Sequence, residues 1–187
     1  MGCLKELRKR GTSERILKAL ENELAFLERS VWEKSLKHAV EELLVKKNIK
    51  SPIEVFQVGK IGELLKQEIE KAGGITLEEA GIVMDKHAML HIREERKGAY
   101  GQALRIEEIL KIPEVLQRAE SVSYEEDRKR REHYIIFWFD DNANEKMINK
   151  LVVNLNRKIK KFGVSNYTVT MGKINKETAG SVKFITP

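Results

Sequence analysis

The chain has 187 residues, of which 41% are hydrophobic and 34% charged, with 35 lysines and arginines against 29 aspartates and glutamates and a net charge of +6. That balance excludes a disordered chain and suits one domain with an appendage or two small domains, and the positive excess fits a polyanionic partner such as RNA without requiring one. A single cysteine, Cys3, excludes an intramolecular disulfide, so the expected setting is reducing: a cytoplasm, or a bacterial cytoplasm into which the protein is delivered.

No apolar run approaches the roughly 20 residues that cross a bilayer. The charged N-terminus lacks the apolar core of a signal peptide. Met1-Gly2-Cys3 is followed by Glu6 where the myristoylation pattern wants Ser or Thr, so neither acylation nor a membrane partner is expected.

Ser13 can cap a helix beginning at Glu14, in which Ile16, Leu17, Leu20, Leu24, Leu27 and Val31 recur at steps of three and four. The pattern continues through Leu36, Val40, Leu43 and Leu44, and no Gly or Pro interrupts Thr12 to Lys50. The spacing predicts one long helix, or two with a bend near Ser30 to Ser35. Its stripe must be covered by the rest of the chain or, through self-association, by another subunit. Residues 1–50 are therefore read as a helical arm and 51–187 as a separate α+β domain.

Ser51-Pro52 ends the helix. Residues 53–58 read as a strand, and Ile61 to Lys71 as a short amphipathic helix stopped at Gly73-Gly74. Thr76 with Glu79 offers a capping box for a brief helical turn. After the short apolar stretch Ile82-Val83-Met84, Asp85 can cap a helix running to about Arg96, and Gly98 and Gly101 mark a loop. Leu104 to Leu110 is helical, and Pro113 suits the start of another helix, Glu114 to Ala119.

From Ser121 the texture turns to strands: Ser121–Glu125, a charged turn at 125–132, then His133 to Phe139 as a central strand buried on both faces. A turn over Asp140 to Asn144 leads to a strand at Lys150 to Arg157, although Glu145 to Ile159 also reads as a helix. Tyr167 to Met171 is the last strand. Helices first and strands after predict an α+β fold, with a small, roughly four-stranded antiparallel sheet carrying helices on one face.

His87 and His91, four apart on a predicted helix, share a face. Two imidazoles beside one phosphate could divide acid and base duties. RNA brings its own nucleophile, the ribose 2′-hydroxyl, so a base, an acid and a donor for the crowded phosphorane suffice without a metal or cofactor. The same spacing also serves a hydrogen-bonded helix face, or a zinc-dependent hydrolase. Against zinc, Ala88 stands where a zinc-protease helix carries its Glu, and no nearby Cys or third His completes a set, although Asp85 or a remote carboxylate could. Lys86 stands beside the pair. Alternation puts Thr168 and Thr170 on one strand face, where they could hold a phosphate, and Arg105 and Lys173 add positive charge. Nucleotide-cofactor and phosphate-loop motifs are absent.

The succession VFQVGKIGELL, GIVMDKHAMLHI, ALRIEEILKIPEVLQRAE, HYIIFWF, KLVVNLNRK and NYTVTMGKI resembles the phage-associated nuclease group of the barnase–EndoU–colicin–RelE superfamily, over Ile53 to Ile174. The resemblance implies a metal-independent endoribonuclease of a phage or mobile element, with a toxin among the options. Such an enzyme leaves a 2′,3′-cyclic phosphate and has an immunity or antitoxin protein as a candidate partner. His87 and His91 would take the helix-histidine positions, Thr170 would join them in the active site, and Lys86, Thr168, Arg105 and Lys173 would bind substrate. Two departures stand out: the first 50 residues lie outside the pattern, and only Asn156-Arg157-Lys158 could supply a second-strand cation. The rival reading is a non-catalytic phage or mobile-element module that assembles through the long helix.

Overall fold

In the computed structural model, residues 2–92, 98, 101–160, 162–180 and 182–185 are described. The long apolar periodicity forms α2 (Glu14–Val40), which follows a short basic α1 (Gly2–Lys9) and runs on into one π-helical turn, Glu41–Val45. It does not break at the serines. Ser30 and Ser35 donate their hydroxyls to the carbonyls of Leu27 and Val31 at 2.9 and 3.0 Å, so both are accommodated within the helix.

The remaining elements alternate before they segregate: β1 (Val55–Lys60), α3 (Glu63–Gly73), β2 (Gly81–Asp85), α4 (Lys86–His91), α5 (Ile106–Leu110) and α6 (Ile112–Arg118). β3 (Val122–Asp127), β4 (Glu132–Asp140), β5 (Met147–Ile159), β6 (Gly163–Asn175) and α7 (Lys176–Ala179) complete the chain. Residues 145–159 are thus strand, not helix, from Met147 onward. Of the helix expected from Asp85 to Arg96, α4 is the first part; residues 93–97 lie outside the described residues.

The fold is α+β as expected, but the sheet is larger and mixed. It has six strands in the order β1-β2-β6-β5-β4-β3. All neighbours are antiparallel except β2 and β6, which run parallel, with Ile82 beside Asn166 and Val83 beside Tyr167. A five-residue strand joining a partner more than 80 residues away leaves no local periodic signal, which is why the expectation stopped near four antiparallel strands.

The core lies between one sheet face and the helices. Leu36, Val40 and Leu43 meet Ile69, Met89, Ile109 and Leu116, over Ile82, Met84, Ile135, Phe137, Leu151, Val153 and Met171. The C-terminal half of α2 therefore shares a core with residues beyond position 51. Its N-terminal half does not, because Ile16, Leu20, Leu24, Leu27 and Val31 are 38 to 60% exposed.

The expected turn at Thr76–Glu79 is not helical. Side chains hold it open instead. Asn156, at φ +50°, donates its amide to the Thr76 carbonyl at 2.7 Å and accepts from the Glu78 amide at 3.0 Å, while Glu70 accepts from the Leu77 amide. Asn166 donates to the carbonyls of Glu79 and Gly81, tying the same loop to β6.

Gly59 sits at a register shift in β1, where a Cβ would lie 2.6 Å from Leu116 Cδ1 and 2.9 Å from its Cβ. Leu116 is buried and cannot swing away. Gly59→Ala is expected to destabilise the protein by about 1–3 kcal/mol through overpacking between β1 and α6, measurable as a lower urea midpoint at unchanged slope.

Candidate active site

The junction of β2 and α4 is built around Asp85. Its backbone is still extended, and its carboxylate accepts from the Ala88 amide at 2.8 Å, capping a helix only six residues long. The Tyr167 hydroxyl on β6 also donates to this carboxylate, and the Arg157 guanidinium from β5 lies 4.5 Å over the Tyr167 ring. Burial, then the Asp85 hydrogen bond and charge, push the Tyr167 phenol far above its ordinary pKa, so this ring stays a neutral donor.

α4 buries Ala88 and Met89 and leaves His87 and His91 exposed one turn apart, so the pair does share the solvent side. Lys86 is committed elsewhere. Its ammonium donates to the Ser51 carbonyl at 3.0 Å and to the Ile49 carbonyl, fastening the chain after the π-helical turn to the start of α4.

His87 lines a cleft of about 520 Å³. Its lining mixes apolar residues (Pro52, Ile53, Ile159 and Phe162) with charged ones (Glu54, Asp85, Lys86 and Lys160). Phe162 is 46% exposed beside the Gly163 turn of the β5–β6 hairpin. Two further clefts, one at α6 and the end of β4 and one at the β3–β4 turn, contain no histidine. Among the described residues, no group of three or more His, Cys, Asp or Glu is placed to hold a metal ion.

The two strand threonines do not share a face. Val152 pairs with Thr170 and Val153 with Thr168, so Val169 is an extra residue and the alternation reverses across it. Thr168 consequently sits opposite core Val153, fully buried, with no hydrogen-bond partner for its hydroxyl, whereas Thr170 is partly exposed on the other face.

Arg105 and Lys173 are not in the cleft. They meet about 20 Å along β6 from Tyr167, counted at strand rise. There Lys173 Nζ lies 2.7 Å from Asp141 and 2.9 Å from Glu108, and Arg105 reaches Glu108 at 2.8 Å and Asp141 at 3.1 Å. Lys173, Glu108 and Asp141 are buried. Desolvation pushes the Glu108 carboxyl up. Hydrogen bonds from the Arg105 side chain and backbone and from Lys173 outweigh it, lowering the group from 4.5 to about 2. A folded-state value below the unfolded one means that Glu108 contributes stability above about pH 4.5, and that this is lost as the pH falls toward about 2.

No protein-family model, curated protein or solved structure matches this chain. The cleft geometry is thus the main guide to chemistry. Sequence reasoning singled out His87 and Lys86 but passed over Glu54, Lys160 and Phe162. The one local signal for these was an aromatic residue kept at a glycine turn.

Two outcomes follow from these placements. Lys173→Met should cost about 3 kcal/mol in chemical denaturation, because two buried carboxylates are left with Arg105 alone. Thr168→Val should keep or raise the melting temperature, by a gain of about 1 kcal/mol, since it replaces an unpartnered buried hydroxyl with a methyl.

Proposed function

We propose that this protein is a metal-independent endoribonuclease. The observation that carries the proposal is an exposed histidine pair on a helix anchored at Asp85, with His87 lining a cleft that mixes apolar and charged residues. One imidazole takes the proton of a ribose 2′-hydroxyl as that oxygen attacks the adjacent phosphorus. The other donates a proton to the departing 5′-oxygen, leaving a 2′,3′-cyclic phosphate and a free 5′-hydroxyl; which histidine takes which part is unassigned. Lys160 supplies positive charge at the cleft; Lys86 also lines it but spends its ammonium on the Ile49 and Ser51 carbonyls, and Thr170, on the sheet face away from the helices, does not line it. Arg105, Lys173 and Thr168 are left out of substrate contact, because their placements commit them to the ion cluster and the core. A toxin activity and a neutralising immunity or antitoxin partner belong to the same proposal, as does work in a cytoplasm; no helix is long and apolar enough to cross a membrane among the described residues.

The non-catalytic assembly module is the second reading, favoured by the exposed apolar face of α2. Purified protein incubated with mixed cellular RNA separates the two. Cleavage that persists in chelator, yields cyclic-phosphate ends and falls about 100-fold or more in His87→Ala and in His91→Ala is the expected result. Equal cleavage by both variants, or full inhibition by chelator, overturns the proposal; intact RNA in every lane favours the assembly module.

A further inference from the structure

We propose that α2 pairs with α2 of a second copy of this chain, in antiparallel orientation. Ile16, Leu20, Leu24, Leu27 and Val31 are 53, 38, 48, 50 and 60% exposed, although each is a large apolar residue. At about 100° per residue they fall within one narrow stripe, roughly 24 Å long. That stripe lies on the side of α2 away from Trp32, Leu36 and Ala39, which enter the core. Leu20, Leu24, Leu27 and Val31 follow the alternating four-and-three spacing of a helix–helix seam. The exposed apolar area is on the order of 400 Å², the size of the largest apolar patch on a typical monomer, and such patches are often functional. Two such faces with their flanks give about 1,200 Å², the lower bound for a stable pair.

Charge chooses the occupant and its direction. In a parallel pair, Glu23 on one flank of the stripe, which has no ion-pair partner among the described residues, meets Glu28 on the other flank of the copy and repels it. In an antiparallel pair Leu20 layers on Val31 and Leu24 on Leu27, Glu23 falls beside Ser30, and Ile16 falls beside Lys34. The other flank then brings Glu21 near Glu28, but each is already paired within its own chain. Arg8 lies 3.6 Å from Glu21, and Lys60 contacts Glu28. The stripe is therefore complementary to itself when reversed. α1 meets α2 beside the stripe through Arg8, so two α1–α2 hairpins would close into four helices.

Sedimentation of the full chain at about 50 μM should give twice the chain mass, and Leu24→Glu with Leu27→Glu should return it to one chain mass. Both leucines are half-exposed, so the circular dichroism of this variant should match the parent. In a Cys3→Ser background, Ile16→Cys and Lys34→Cys proteins are mixed and oxidised. Cross-links between the two variants are expected; links of each variant to itself would overturn the antiparallel arrangement. A parent chain that sediments as a monomer, or a dimer that survives both glutamates, would overturn pairing through this face.

Discussion

β5 and β6 pair over almost their whole length, from Met147 with Asn175 to Ile159 with Gly163, and two departures from regular register in that pairing govern much of the molecule. The first, at Val169, reverses the alternation of β6. Met171 and Thr168 both face the helices as a result, and Thr170 faces away. The second adds Leu155 and Asn156 on β5 opposite Asn166. It turns Asn156 into the left-handed region, where its side chain and that of Asn166 grip residues 76–81. Because that loop leads into β2, the irregularity in the hairpin positions β2 beside β6, and β2 in turn delivers Asp85.

Asp85 converts this sheet register into a helix direction. Its carboxylate ends β2, caps α4 and accepts from Tyr167, so strand, helix and hairpin are joined at one charged group. A six-residue helix has too few internal hydrogen bonds to stand alone. It keeps its orientation through this cap, through burial of Ala88 and Met89, and through Lys86 bonded to the carbonyls of the preceding segment. His87 and His91 are thereby presented outward from a braced support while their own side chains stay exposed to solvent.

The net charge of +6 is unevenly employed. Arg105 and Lys173 are paired with Glu108 and Asp141 where α5 meets the ends of β4 and β6, a structural use of charge. On α2, Glu21 and Glu28 are similarly held within the chain, and the leucines between the flanks form an exposed apolar face. The His87 cleft and the exposed apolar stripe of α2 thus sit on different parts of the chain.

Much of this was legible from local pattern. The α2 periodicity, the Asp85 cap, the Pro113 helix start and the strand at His133–Phe139, buried from Ile135 to Trp138, all depend on residues close in sequence, and so does the shared face of His87 and His91. Local pattern could not show that Val169 is a bulge, because a bulge is a mismatch between two strands and neither strand records it alone. Nor could it show the parallel β2–β6 contact, the pairing of Lys173 with carboxylates 32 and 65 residues away, or a cleft assembled from three separate segments. Hydrophobic spacing and capping chemistry, which act over a few residues, were determined by the sequence by itself. Register, charge pairing and which face of α2 is left uncovered were decided only by tertiary structure, because each depends on where a distant segment comes to rest.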